Sequence, residues 1–207
     1  MYTIEDSLNK LLKEYSLNIN EPKAALVMNC NPFTKGHRYL IEQASRENSQ
    51  VLVFILEEEK SSFSFKDRLN MVREGTKHLK NVKIIPGGEY IISAATFPSY
   101  FLKQENLRLK AYTKIDAGLF GKYFARALNI TKRYVGTEPY CAVTKAYNES
   151  LKEVLASYNI SVVEVTRIKK DKDYISASRV RELLKEGKIE EAEKLLPEST
   201  IKYLSEL

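Results

Sequence analysis

Residues Ala24-Ala25-Leu26-Val27-Met28-Asn29-Cys30-Asn31-Pro32-Phe33-Thr34-Lys35-Gly36-His37 decide the fold class of this chain. The apolar run from Ala24 to Met28 is continuous rather than alternating, the pattern of a strand covered on both faces in a parallel sheet. Pro32 then marks a turn, and from Gly36 to Ala44 the apolar positions Tyr39, Leu40, Ile41 and Ala44 fall near helical spacing. The segment reads strand, tight turn, helix. In an open α/β sheet such a turn lies at the carboxyl ends of the strands, where helix-start N–H groups have no intrahelical partner and anions collect. Gly36 lets a phosphate approach the backbone. His37, in the first helical turn, can donate a hydrogen bond to phosphate oxygens and stabilise charge that moves during attack at phosphorus. The same residues also suit a plainer role, in which Pro32 and Gly36 shape a turn and His37 lies on the surface.

A second segment stands near the other end. Tyr174-Ile175-Ser176-Ala177-Ser178-Arg179-Val180-Arg181 sets two hydroxyls and two guanidinium groups at the start of a helical pattern, Val180, Leu183 and Leu184, closed by Gly187. Ser176 or Ser178 suits a helix N-cap, a role worth ~1 kcal/mol. The same hydroxyls and N–H groups can instead hold the β- and γ-phosphates of a nucleoside triphosphate, with Arg181 neutralising them through charge-assisted hydrogen bonds. Between the two segments, Tyr134-Val135-Gly136 reads as a short buried strand. Gly136-Thr137-Glu138-Pro139 follows it as the first turn follows its own strand, and backbone groups there are placed to read an adenine edge.

The remaining pattern is consistent with one α/β unit. Residues 4–16 read as an amphipathic helix with Ile4, Leu8, Leu11 and Leu12 on one face, and a linker runs through Pro22. Residues 1–22 are thus expected to be an N-terminal helix and linker, and 23–207 the main domain. Val51-Leu52-Val53-Phe54-Ile55-Leu56 reads as a strand, Phe65 to Gly75 as a helix, and Val82 to Ile85 and Tyr90 to Ser93 as short strands about the turn Pro86-Gly87-Gly88. Strands alternating with helices predict an open, Rossmann-like parallel sheet with helices on both faces. Thr96-Phe97-Pro98-Ser99-Tyr100-Phe101 is aromatic and suits either core packing or a ligand cover. Asp116 can cap a helix that ends near Leu128.

At 207 residues with 43% hydrophobic content the chain can bury a sizeable core. Lys and Arg total 33 against 27 acids, and the resulting charge of +6 suits an anionic ligand without demanding nucleic acid. The basic residues alternate with glutamates, as in Lys185-Glu186-Gly187-Lys188, which reads as solvated helix faces. The polar opening Met1-Tyr2-Thr3-Ile4-Glu5-Asp6 is unlike a signal peptide, and no apolar run has membrane-spanning length; the expectation is a cytoplasmic protein with no membrane partner. Cys30 and Cys141 form neither a disulfide nor a metal framework, and His37 with His78 does not complete one. Cys30 is read as a small residue packed in the first turn rather than a thiol nucleophile, and His78 as a surface residue.

Thr34-Lys35-Gly36-His37 together with Ile175-Ser176-Ala177-Ser178-Arg179-Val180-Arg181 resembles the (H/T)xGH and ISSTxxR signatures of the nucleotidyltransferase superfamily with the HIGH motif. Three longer stretches narrow the likeness. Residues 29–40, Ile91-Ile92-Ser93-Ala94-Ala95-Thr96-Phe97-Pro98-Ser99-Tyr100-Phe101 and Val135-Gly136-Thr137-Glu138-Pro139-Tyr140 resemble the carboxy-terminal domain of the citrate (pro-3S)-lyase ligase family, over nearly the whole chain after about Ala24. Thr34 stands where many relatives carry the first histidine, and Ala177-Ser178 replaces Ser-Thr in the second signature. Full-length members carry an acetyltransferase-like domain ahead of this region, so both a fragment and a naturally short protein stay open.

The resemblance implies ATP as the nucleotide, with Mg²⁺, and acetate as the nucleophile that attacks the α-phosphorus to give acetyl-AMP. It also implies a partner, the acyl carrier subunit of citrate lyase, whose phosphoribosyl-dephospho-coenzyme A thiol then takes the acetyl group. His37, Lys35 and Arg181 would be catalytic. Asn29, Cys30, Asn31, Pro32, Phe33, Thr34, Gly36, Gly136, Thr137, Glu138, Ile175, Ser176 and Ser178 would complete the ATP site. Lys60, Arg68 and Asp116 would line a second substrate pocket, although an exposed helix start accounts for Lys60 and Arg68 as well. Two alternatives remain at this point: an adenylyltransferase acting on pantetheine phosphate or a nicotinamide mononucleotide, and a non-catalytic nucleotide-binding domain.

Overall fold

The computed structural model describes residues 3–58, 61–91, 106–138, 142–170 and 173–206, with backbone alone for 106–112 and 143. Helix α1 (Ile4–Glu14) opens with a capping box, in which the Thr3 side chain accepts from the Asp6 N–H and the Asp6 carboxylate accepts from the Thr3 N–H. Strand β1 (Lys23–Met28) and helix α2 (Lys35–Glu47) follow, then β2 (Val51–Ile55), α3 (Phe65–Thr76) and β3 (Val82–Pro86). Helix α4 (Asn106–Leu119) runs through a π-helical stretch, Phe120–Ala125, to Arg126–Leu128. The order continues with β4 (Ile130–Gly136), α5 (Ala142–Ala156), β5 (Ser161–Val165), a small β6–β7 hairpin (Lys169–Lys170 and Asp173–Tyr174), α6 (Ala177–Lys185), α7 (Ile189–Glu193) and α8 (Glu198–Ser205).

The five main strands form one parallel sheet in the order β3-β2-β1-β4-β5. Alternation along each strand sorts its side chains between two cores. Ala25, Leu52, Phe54 and Ile85 pack with Phe120 and Phe124 of the π-helical stretch and with Leu151 and Leu155 of α5. Ala24, Leu26, Met28, Val51, Val53 and Ile55 pack on the other face with Ile41 and Ala44 of α2 and Met71 and Val72 of α3. Both faces of the sheet are therefore covered, as the continuous apolar run predicts. This is why β1 and β2 carry no polar alternation. Leu8 and Leu17 from the N-terminal segment join the first of these cores.

Chain order turns back at β1. The chain builds outward from β1 to β2 and β3, then crosses to β4 on the other side of β1. Ligands in open α/β sheets bind outside the carboxyl ends of the strands at such a reversal. The turn after β1, residues 29–34, and the turn after β4, from Thr137, both sit at this point.

Two sequence expectations change, and two elements are added. The strand expected at 90–93 is not seen at Tyr90 and Ile91, and 92–93 lie outside the described residues. Asp116 is inside α4 rather than at its start, because the helix already begins at Asn106. Strand β5 and helix α5 were not read from the sequence and supply one side of the site described next.

Candidate functional site

The turn after β1 is held by its neighbours. Arg68 of α3 is 0% exposed, and its guanidinium donates to the carbonyls of Asn29 (2.7 Å), Leu56 (2.9 Å), Glu58 (3.0 Å) and Phe63 (3.1 Å), and to Asn29 Oδ1 (2.6 Å). The Asn31 side chain accepts from the Phe63 N–H at 3.2 Å. From the C-terminal segment, Thr200 donates to the Phe33 carbonyl at 2.8 Å, and the Leu195 carbonyl accepts from the Lys35 N–H at 2.9 Å. Cys30 takes a left-handed conformation, φ +53°, with its side chain in the sheet core, where burial pushes the thiol pKa far up. The packed reading of that residue describes its side chain.

Thr34 caps α2, and the reciprocal partner is a histidine. The Thr34 hydroxyl accepts from the His37 N–H at 3.3 Å, while the Thr34 N–H donates to His37 Nδ1 at 3.1 Å. An Nδ1 that accepts a backbone proton carries none itself, so the ring proton lies on Nε2. Burial, with the nearby positive charges of Arg167 and Arg181, holds the His37 pKa down at about 4. The ring is neutral at pH 7 and offers one N–H.

The second signature meets the first. A Cβ on Gly36 would lie 3.1 Å from the Ile175 carbonyl oxygen, so glycine is what lets the two segments touch. Ser176 caps α6, its hydroxyl accepting from the Arg179 N–H at 3.2 Å. Arg181 donates to the Asn31 carbonyl at 2.6 Å and to the Ser178 hydroxyl at 3.1 Å, which ties α6 to the first turn. On the third side, Thr137 N–H donates to the Val165 carbonyl at 2.9 Å and the Thr137 hydroxyl accepts from the Arg167 N–H at 3.2 Å. Arg167 pairs with Glu138 at 2.7 Å.

These three sides enclose a cavity of about 450 Å³. Thr34, Gly36, His37, Gly136, Glu138, Ile175, Ser176 and Ser178, all expected in a nucleotide site, line it together with Arg167 and Thr166, which were not expected. Two helix starts, those of α2 and α6, border one space, a favourable environment for an anion.

Other expected site residues lie elsewhere. The Lys35 amine donates to the Lys194 carbonyl at 2.8 Å, on the C-terminal side of the helix start. Arg68 is taken up by main-chain carbonyls, so its visible work is to shape the turn. Asp116 is buried beneath the opposite sheet face and accepts a hydrogen bond from Tyr147, with burial raising its carboxyl pKa. Lys60, Cys141 and the aromatic stretch 96–101 lie outside the described residues. Arg167 could have been found: Ser161-Val162-Val163-Glu164-Val165 is a short β-branched run, and Thr166-Arg167 follows it as Thr137-Glu138 follows β4.

The same architecture occurs in solved structures. A pantothenate synthetase from Thermus thermophilus is similar with a TM-score of 0.55 at 15% identity, over 90% of this chain and 76% of that one. A bifunctional NMN adenylyltransferase/ADP ribose pyrophosphatase from Francisella tularensis is similar with a TM-score of 0.51 at 16% identity, over 90% of this chain and 48% of that one. The fold is that of a nucleotidyltransferase-like α/β domain. Residues 23–204 match the family model for the citrate lyase ligase C-terminal domain, and the chain belongs to that family. The citrate (pro-3S)-lyase ligases of Escherichia coli and Klebsiella pneumoniae are 39% and 42% identical to it, over 100% and 88% of this chain. The chain spans 62% and 55% of those two relatives' lengths.

Proposed function

We propose that this chain carries the ATP-dependent, acyl-adenylate-forming site of a citrate lyase ligase. Acetate, already ionised at neutral pH, attacks the α-phosphorus of ATP; its oxygen forms the new P–O bond, the bond to pyrophosphate breaks, and acetyl-AMP results. The thiol of the phosphoribosyl-dephospho-coenzyme A group on the citrate lyase acyl carrier subunit then attacks the acetyl carbonyl. A thioester forms, the thiol proton passes to solvent, and AMP leaves. Neither step needs a covalent enzyme nucleophile. Catalysis is positioning plus fixed dipoles.

The single observation that carries this reading is the His37 ring in the Thr34 cap. Its Nδ1 accepts a backbone N–H, so its Nε2 presents a proton at the start of α2 without the ring being charged. That donor, with the Ser176 and Ser178 hydroxyls, would hold phosphate oxygens, and Arg181 would steady the turn and neutralise charge. Lys35 would join them by rotating its amine from the Lys194 carbonyl. Membership in the citrate lyase ligase family supports the choice of acid and acceptor. Glu138, the only carboxylate lining the cavity among the described residues, is engaged by Arg167. Mg²⁺ would therefore enter on the oxygens of the triphosphate, where it offsets charge on the leaving pyrophosphate. The reading is in keeping with a cytoplasmic enzyme, and among the described residues no helix is long and apolar enough to cross a membrane.

The test is ATP–pyrophosphate exchange with Mg²⁺ and either acetate, pantetheine phosphate or no acceptor. Exchange that appears only with acetate is expected. Exchange indifferent to acetate would sink the acyl-adenylate assignment.

A further inference from the structure

Arg167 lines this cavity from the β5 side. Among the described residues it is the one lysine or arginine that lines the space; the Arg181 guanidinium donates to the Asn31 carbonyl and the Ser178 hydroxyl, and the Lys35 amine to the Lys194 carbonyl. Its side chain crosses the turn after β4. A Cβ on Gly136 would lie 3.5 Å from Arg167 Nε and 3.6 Å from its Cγ, ordinary contact distances. Glu138 Oε2 holds the far end of the side chain at 2.7 Å from Nη2, and the Thr137 hydroxyl positions the backbone by accepting the Arg167 main-chain N–H. A long side chain held at its tip on a positioned backbone has lost part of its rotamer freedom before any ligand arrives, which lowers the ordering cost of binding.

We propose that Arg167, oriented by Glu138, is a phosphate-contacting residue of the nucleotide site, facing the anion from the β5 side while His37 and the α6 hydroxyls face it from the other. The assignment rests on the reading that this cavity takes a nucleoside triphosphate. A planar guanidinium held by one carboxylate along one edge keeps N–H donors for a phosphate, which a lysine in the same place could not match in geometry. The cation also acts on His37. It is the charge with the greatest effect on that ring, ahead of Arg181, and it disfavours the imidazolium that would remove the tautomer chosen by the Thr34 cap. Phosphate contact and the neutral state of the histidine thus both draw on Arg167.

The experiment compares wild type with Arg167→Gln and Arg167→Lys, measuring dissociation constants for ATP and for adenosine by calorimetry and the titration of His37 by NMR. The chain has two histidines, so a His78→Gln background leaves one ring to follow. Arg167→Gln should weaken ATP about 10-fold or more while adenosine stays within about twofold, because only the phosphate contact is lost. The His37 midpoint should rise by about half a pH unit or more. Arg167→Lys, which keeps charge without the fork, should hold the midpoint near wild type and recover ATP affinity in part. Equal losses for ATP and adenosine, or no loss for either, would overturn the assignment. Wild-type protein that binds ATP but supports no acetate-dependent exchange would remove the proposed reaction and leave the Arg167 assignment standing. Wild-type protein that binds no ATP would remove both.

Discussion

The two helix starts that face the cavity carry similar equipment, a hydroxyl cap and the N–H groups of a first turn, yet they are held in different ways. Thr34 is 1% exposed, and its turn is fastened by Arg68 of α3, by the Phe63 N–H on the Asn31 side chain, and by Thr200 and Leu195 of the C-terminal segment. Ser178 is exposed, and the α6 turn is fixed mainly by the Ile175 backbone, which donates to the Ile168 carbonyl at 3.1 Å, and by Arg181 reaching across to Asn31. The first turn is preorganised by the core. The second takes its position from the first. In the proposed reaction, where catalysis is positioning, the group assigned to the moving charge belongs on the rigid side, and His37 is there.

The largest effect should come from removing what fastens the first turn. Arg68→Met leaves carbonyls of four residues, that of Leu56 fully buried and the others partly so, without this donor and should cost on the order of 4 kcal/mol, read as a shifted midpoint in urea unfolding. A loss below about 1 kcal/mol would mean that the turn does not depend on that clamp.

His37→Ala should leave the fold intact and lower acetate-dependent exchange by roughly 10²–10³-fold, the scale of one lost preorganised donor. Near-wild-type exchange would take His37 out of the chemistry. The same residue predicts a pH effect on stability. Its pKa is about 4 in the fold against 6.5 for an ordinary histidine, so the unfolded chain binds the proton more tightly. Stability contributed by the neutral ring is therefore present above about pH 6.5 and lost as pH falls toward 4. His37→Gln should flatten that part of the stability profile, which thermal melts across the window would reveal.

A smaller effect is expected at Thr200→Val, which removes the donor to the Phe33 carbonyl and should cost about 1–2 kcal/mol by the same unfolding measurement. The smallest is Ser176→Ala. Loss of the α6 cap should cost ~1 kcal/mol. If both turns proved equally sensitive to loss of their hydroxyl caps, with Thr34→Ala matching Ser176→Ala in stability and in exchange rate, the distinction between a braced and a dependent turn would fail.

Much of the fold was legible because its signals are local. The run from Ala24 to Met28, the proline turn and the helical spacing after Gly36 lie within one stretch of chain, and the buried two-faced strand that they predict is what β1 is. The hydroxyl before α6 and Gly187 after it mark that helix in the same local way, with Gly187 at φ +73°. The site was harder. Lys35 stands next to Gly36 in sequence, yet the Leu195–Lys194 segment, distant along the chain, draws its amine away. Asp116 looked like a helix cap beside the site; the start of α4 ten residues earlier turns it into the opposite core. Arg167 carried a weak signal, because a short strand that pairs on one side gives little pattern to read, and its value lies in being opposite Gly136 and Glu138.

The sequence by itself determined the strand–turn–helix unit, the hydroxyl-capped second segment and the family, since hydrophobic period, turn residues and short motifs are written in neighbouring positions. Only the tertiary structure decided which charges face the cavity, which proton His37 keeps, and that Arg68 braces the turn. Those properties depend on burial and on groups far apart in the chain, and a side chain's pKa and direction are set by what surrounds it after folding.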